Sequence, residues 1–241
     1  MKTTLWDRRA PFLAVVPATT VIGALGASAL GSVTATLLGA VAGLVWGLLL
    51  EFIALRLARS ESRRPGLANA SVFLTALCSG MLGGGALLVQ MLLTAGLSAP
   101  STSFTIIHSP FGASFNLFII TLNSLMEWLL IPAALFLNWH IPRRRTLIVI
   151  AAVVYYGMRV WTYVYFVPNI FELGAIPPDG PFSAEVVERF RIWVNLSWLR
   201  FGVDISTNLL FLLAAFVPAS AIGNFQNLAG EKAVEKEAQS A

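Results

Sequence analysis

Six apolar windows, at about 11–30, 34–57, 68–97, 112–138, 146–167 and 192–217, constrain this chain more than any other feature. Each matches the roughly 20 apolar residues a helix needs to cross the hydrocarbon core of a bilayer. Of 241 residues, 57% are hydrophobic and 12% charged, and the mean hydropathy is +0.76. No single soluble core holds that much apolar surface, so the expected fold is all-α: a polytopic bundle of about six transmembrane helices in a lipid bilayer.

The charges between the windows predict orientation. Lys2, Arg8 and Arg9 precede the first window; Arg56, Arg59, Arg63 and Arg64 follow the second; Arg143, Arg144 and Arg145 follow the fourth; Lys232 and Lys236 follow the sixth. All four clusters fall on one side. On the other side Gly31–Ser32 is a tight turn, Ser98 to Gly112 has no Lys or Arg, and Pro168 to Ile192 has Arg189 and Arg191 beside four acids. The positive-inside bias then places both termini in the cytoplasm, in the cell (plasma or inner) membrane. It also accounts for the net charge of +4, so no nucleic-acid partner is expected. Basic residues, an apolar run and Ala27-Ser28-Ala29 also fit a cleavable secretory signal spanning 1–29, and Arg8-Arg9 followed by Phe12-Leu13 is a poor twin-arginine match.

Helix punctuation agrees with the windows. Pro110 opens the fourth, Pro168 and Pro218 fall at the ends of the fifth and sixth, and Pro17 and Pro132 predict kinks. Ile176 to Pro181 is a turn, after which Ser183 is placed to cap a helix with Glu185 in its first turn. Val186, Val187, Phe190 and Val194 follow at helical spacing, predicting an amphipathic stretch on the outer surface. The expected organisation is a Gly-rich hairpin over 1–66, a four-helix bundle over 67–222 and a polar tail over 223–241.

Gly39, Gly43 and Gly47 repeat every fourth residue and face Gly23, Ala27 and Gly31 at the same spacing. Small-residue stripes let helix backbones approach closely, so the first two helices are expected to pack as a tight hairpin; the alternatives for the same stripe are a glycine-lined pore or a homo-oligomer seam.

Charged groups in hydrocarbon cost a few kcal/mol each unless paired or hydrated, and so point to sites. The candidates are Glu127 in the fourth window, Arg159 in the fifth, and Arg200 with Asp204 in the sixth. At about 1.5 Å per residue from the outer boundary, Arg159 and Arg200 lie about 12 Å deep, Asn123 about 15 Å, and Asp204 and Glu127 about 18–21 Å. Arg200 and Asp204 share a helix face, and Asn195, Asn208 and Asn116 extend a polar stripe. A polar site between the last three spans, open to the outside, is predicted. In it Arg159 and Arg200 hold an anionic or carbonyl-bearing ligand, Asp204 or Glu127 transfers protons, and Tyr163 and Trp198 wall an aromatic pocket. The same residues also fit a buried ion network of purely structural role.

Other polar groups are read more plainly. Glu51 is within reach of Arg56, and Gln90 fits an interhelical hydrogen-bond donor. The remaining Trp and Tyr residues, Tyr155 and Tyr156 among them, fit interfacial belts. Cys78 is alone in the chain, and His108 and His140 fall on opposite sides, so no metal site or paired haem ligation is read. No phosphate-binding loop, dinucleotide fingerprint, HExxH or GxSxG motif occurs, and no cofactor is expected.

Tyr165-Phe166-Val167-Pro168-Asn169, an acidic-to-basic loop, then Arg191-Ile192-Trp193-Val194 and Leu196-Ser197-Trp198-Leu199-Arg200 resemble the bacterial and fungal membrane family that includes anthrone oxygenases. The resemblance covers about 146–217; Ser197 stands where that family carries an Asn, and the first two helices have no counterpart in it. It implies that Arg200 and Trp193 match the family's Arg and Trp, and that the chemistry is cofactor-independent oxidation of an aromatic substrate. Three functions stay open: an oxidoreductase or binder of a small apolar or aromatic ligand, a small-molecule transporter, and a non-catalytic membrane subunit.

Overall fold

The computed structural model describes residues 5–28, 31–57 and 64–218. Lys2, Arg59, Arg63, Lys232, Lys236, the Ala29 of the small-residue signature and the polar tail from 223 lie outside the described residues. Among the described residues every long element is a helix: α1 (Leu5–Ser28), α2 (Val33–Leu57), α3 (Arg64–Ala95), the short α4 (Pro100–His108), α5 (Pro110–Asn138), α6 (Pro142–Gly174) and α7 (Ala184–Phe216). Five carry segments long and apolar enough to cross a membrane, and the apolar part of α1, Val15–Ser28, is shorter. The protein is a multi-pass helical membrane bundle.

The glycine stripe explains the first hairpin. A Cβ added to Gly39 would lie 3.0 Å from the backbone carbon of Gly23, and one on Gly43 would lie 2.9 Å from the Thr20 Cα. The two backbones therefore touch where no side chain fits. Gly31, at φ +69°, turns the chain between α1 and α2. Along α2, Leu37, Val41, Leu48 and Phe52 remain exposed, as a lipid-facing surface requires.

Residues chiefly from α3, α5, α6 and α7 build two apolar cores, with Val15 of α1 reaching the first and Phe104 of α4 the second. One, toward the end bearing Arg143 to Arg145 (the basic end), includes Val72, Met126, Ile131, Ile148, Ala151 and Phe211. The second, toward the opposite end, comprises Leu93, Phe104, Phe166, Leu173, Phe190, Trp193 and Val194. It exists because α6 and α7 are 33 residues each, about 50 Å long against about 30 Å of hydrocarbon. Their extra turns pack on one another and on α4. The stretch beginning at Val186 thus turns its apolar face inward, burying Phe190 and Val194, where a surface-lying helix was expected. Ser183 does cap it, its hydroxyl accepting from the Val186 N–H at 3.3 Å. The segment from Ser98 to Gly112, expected as a loop, contains α4, with Pro100 in its first turn.

Pro168 does not end its helix. In both α5 and α6 a five-residue π segment, Met126–Leu130 and Thr162–Phe166, precedes a β-branched residue and a proline, Ile131-Pro132 and Val167-Pro168. Wider-turn bonding, Ile131 N–H to Met126 O and Val167 N–H to Thr162 O, carries the helix past the proline. Pro132 has no N–H for the carbonyl of Trp128, and the Trp46 indole of α2 donates to it instead, at 2.6 Å. The Tyr156 hydroxyl donates to Glu127 O at 2.8 Å. Carbonyls loosened by the π register are thereby satisfied from α2 and α6.

At the basic end Arg144, one of the three arginines that follow the fourth window, is 1% exposed. Its guanidinium donates to Asn69 Oδ1 (2.9 Å), to Asn138 Oδ1 (2.8 Å) and to the carbonyl of Val217, which caps α7. A cation at a helix C-terminus complements the macrodipole, and this one joins α3, α5, α6 and α7. Arg56 lies over the Phe52 ring at 5.0 Å, and no Glu51–Arg56 ion pair forms among the described residues.

Candidate functional site

The π segments set the middle of the bundle. Glu127 and Tyr163 are each the second residue of their segment, and the two side chains meet, the Tyr163 hydroxyl donating to Glu127 Oε2 at 3.1 Å. Arg159, one turn before Tyr163, donates its Nε–H to Glu127 Oε1 and lies 4.8 Å from the Tyr163 ring centre. Glu127 is 1% and the Arg159 side chain 13% exposed. Next to this pair the buried Tyr155 donates to Asn123 Oδ1 at 3.0 Å. Four of the sequence-predicted residues, Glu127, Arg159, Tyr163 and Asn123, therefore come together in one network between α5 and α6.

Arg200 and Asp204 stand beside this network. Arg200 interacts electrostatically with both Asp204 and Arg159, and its guanidinium lies over the Phe166 ring at 4.6 Å. Among the described residues, Arg200 and Asp204 have no hydrogen-bond partner and form no close ion pair, with each other or with any other group. Their order on the helix explains this. Side chains lean toward a helix N-terminus, so a cation placed four residues before an acid leans away from it. Two helix turns of α7 thus present a cation held on an aromatic face and a carboxylate without a donor, both half-buried.

Other residues of the expected stripe are placed elsewhere. Asn195 and Asn116 are exposed. Asn208 donates to Ala76 O of α3 at 2.8 Å. Trp198 is 37% exposed, with its indole N–H on Thr94 Oγ1 at 3.0 Å, on the α3 side of α7. Gln90 also serves the α3–α7 contact, donating to Val194 O at 2.7 Å. Toward the end opposite the arginines, the core holding Phe104, Phe166, Phe190 and Trp193 covers the site, where a mouth was expected.

Tyr155 and Tyr156 are the residues sequence reasoning misplaced: they sit at mid-bundle on Asn123 and Glu127 instead of in a belt. The signal was present, since Tyr155, Arg159, Thr162 and Phe166 recur at spacings of four, three and four along one face of α6. On the other side of Tyr156 an apolar crevice of 260 Å³ runs between Pro17, Val21 and Ile22 of α1 and Gly157 and Val160 of α6; Arg200 and Asp204 do not line it. No group of three or more His, Cys, Asp or Glu side chains able to hold a metal occurs among the described residues. Compared with protein-family models, curated proteins and solved structures, the chain matches none.

Proposed function

We propose that this chain is a plasma- or inner-membrane protein, both termini cytoplasmic, that binds a small apolar or aromatic molecule carrying one anionic or carbonyl group. The observation that carries this reading is the contrast between the Glu127–Arg159 ion pair and the neighbouring Arg200 and Asp204, which form no close pair. Glu127 and Arg159 satisfy each other, with Tyr163 completing the carboxylate, whereas Arg200 and Asp204 are left without acceptor or donor. Unpaired charge inside hydrocarbon is expensive, and a ligand oxygen on Arg200 with a ligand hydroxyl or acidic C–H toward Asp204 offsets that cost. Phe166 supplies an aromatic wall.

Cofactor-independent oxidation, the chemistry implied by the resemblance to anthrone oxygenases, starts from proton abstraction. In this reading Asp204 takes the proton, Arg200 steadies the resulting oxyanion, and dioxygen is the oxidant, one oxygen atom entering the substrate and the other leaving as water.

The test is thermal unfolding in detergent of wild type, Arg200→Ala and Asp204→Asn, with mass spectrometry of small molecules that co-purify. Variants as stable as wild type that lose a bound compound support the reading, and the compound names the ligand class. Variants that unfold, with nothing bound to wild type, overturn it in favour of a structural role.

A further inference from the structure

We propose that the bundle is open sideways to the bilayer, between the first half of α5 and α6, and that a small apolar or aromatic molecule dissolved in the lipid enters there. That this molecule is the ligand rests on the reading of Arg200 and Asp204 as a binding site; the opening itself does not.

The two apolar cores treat α5 differently. The core nearer the basic end includes Met126, Leu130 and Ile131 of α5, with Ile119 and Leu122 packed against it. The core at the opposite end is drawn from α3, α4, α6, α7 and the turns between them, and holds no residue of α5. No residue of Pro110–Leu125 is buried. Where this half of α5 does pack, it packs on α3: a Cβ at Gly85 would lie 2.9 Å from the Phe118 ring and 3.5 Å from the Phe115 ring. Among the described residues no hydrogen bond, ion pair or ring contact joins 110–122 to α6 or α7, and the Tyr155–Asn123 bond is the first to do so. The α3–α7 seam is closed by Gln90 and Asn208, and the α6–α7 seam by Phe166 against Trp193, ring centres 5.9 Å apart. The α5–α6 seam is closed only from Asn123 toward the basic end.

Burial along α7 places the gap at the site. This helix meets α3 through Ile205 and Asn208 and α6 through Trp193, and Arg200 and Asp204 lie between those two faces. Ser197, one turn before Arg200, is 2% exposed, and Thr207, one turn after Asp204, is 1% exposed. Arg200 and Asp204 are only half-buried. A break in burial confined to their level, on a helix sealed above and below, is where the missing half of α5 leaves the interior open.

Depth decides what enters. Residues 110–122 rise about 18 Å along the helix, against about 30 Å of hydrocarbon, so the opening faces lipid. From the end of the bundle the rings of Phe104, Phe166, Phe190 and Trp193 close the way from water. Asn116, Asn123 and Glu127 recur at spacings of seven and four and so form one stripe on α5, leading from the rim to the Arg159 network. Asn116 is exposed, and its amide has no hydrogen bond among the described residues. A lone amide in hydrocarbon is costly, and at the rim it is placed to take the one polar group of a molecule moving from lipid toward Arg200.

The full chain in lipid vesicles is photolysed with an aryl trifluoromethyl diazirine, a small aromatic that partitions into hydrocarbon and carries no anionic or carbonyl group. Carbene adducts are mapped by mass spectrometry, with the lipid-facing Leu117 and the fully buried Ile148 as upper and lower references. In wild type, Asn123 and Asp204 are expected to be labelled above the Ile148 level. In Asn116→Trp, whose indole fills the rim, labelling of both falls to that level while Leu117 is unchanged; Thr121→Trp, on the other flank of the helix, leaves all of it unchanged. Labelling of Asn123 and Asp204 no higher than Ile148 in wild type overturns the opening. Undiminished labelling in Asn116→Trp, or an equal fall in both variants, overturns its placement between α5 and α6. Because the probe has no group for Arg200 to hold, the outcome is independent of whether Arg200 and Asp204 bind a ligand, which the co-purification test decides.

Discussion

Removing Glu127 tests the central network most directly. In Glu127→Gln the Arg159 guanidinium, 13% exposed, keeps its charge and loses its carboxylate. Breaking a buried pair from one side costs about 3–5 kcal/mol, because an uncompensated charge stays behind. Arg159→Met leaves the complementary problem, a carboxylate 1% exposed with the Tyr163 hydroxyl as its remaining side-chain donor. Its cost falls in the same range, again about 3–5 kcal/mol. The double substitution removes both charges and fills the space with an apolar stem, so it is expected to be milder than either single change. The coupling energy should then be at least about 3 kcal/mol, against the roughly 0.5 kcal/mol within which independent sites add. The assay is a double-mutant cycle from SDS-driven unfolding in mixed micelles, followed by tryptophan fluorescence. Thermal unfolding gives a second readout, each single variant melting roughly 6–20 °C below wild type at about 2–4 °C per kcal/mol. Strictly additive losses would refute the reasoning, since they would mean that the two side chains stabilise the bundle independently.

Three further outcomes follow from contacts already described. Gly39→Leu drives a side chain into the α1 backbone beside Gly23 and should separate the α1–α2 hairpin, abolishing a disulfide cross-link engineered between the two helices that forms in an otherwise wild-type chain. Trp46→Phe removes the donor to Trp128 O and should cost about 1–3 kcal/mol by leaving that carbonyl unsatisfied, measured in the same unfolding assay; a neutral result would mean that α5 closes past Pro132 without help. Arg144→Lys keeps the charge but loses the fork that reaches Asn69, Asn138 and Val217 at once, and should speed amide exchange in the last turn of α7 without changing exchange in α4.

Apolar length and glycine spacing made much of the architecture legible. Both are properties of single helices or of two adjacent ones, and bilayer thickness turns a run of apolar residues into a span with little further information. Gln90 and Ser183 were legible for a related reason: a lone amide in hydrocarbon has to find a carbonyl, and a serine ahead of an apolar run has free N–H groups within reach. What escaped was whatever depends on direction in three dimensions. Arg143, Arg144 and Arg145 are indistinguishable as letters, yet the angle at which α6 enters the bundle buries the middle one against α3 and α7. Arg200 and Asp204 have the spacing of a pair and the order that disfavours one.

The prolines carry the largest part of what was missed. Read alone, Pro168 is a terminator and Pro132 a kink, because each lacks the N–H its helix requires. The structure continues both helices by widening the turn ahead of each proline, and this shift of register has chemical consequences. It loosens carbonyls that would otherwise be locked in the i→i−4 ladder, and side chains from neighbouring helices come in to meet them, Trp46 and Tyr156 among them. The same widening lies where Glu127 and Tyr163 leave their helices, on antiparallel elements, so that the carboxylate and the phenol meet across the interface. Such π bulges concentrate at functional sites because they are sustained only when tertiary contacts compensate for them. Here the compensating contacts and the polar network are built from overlapping residues. A β-branched residue and a proline five residues after a polar or aromatic side chain, occurring once on each of two spans, is therefore the pattern by which a site of this kind can be sought in other membrane chains.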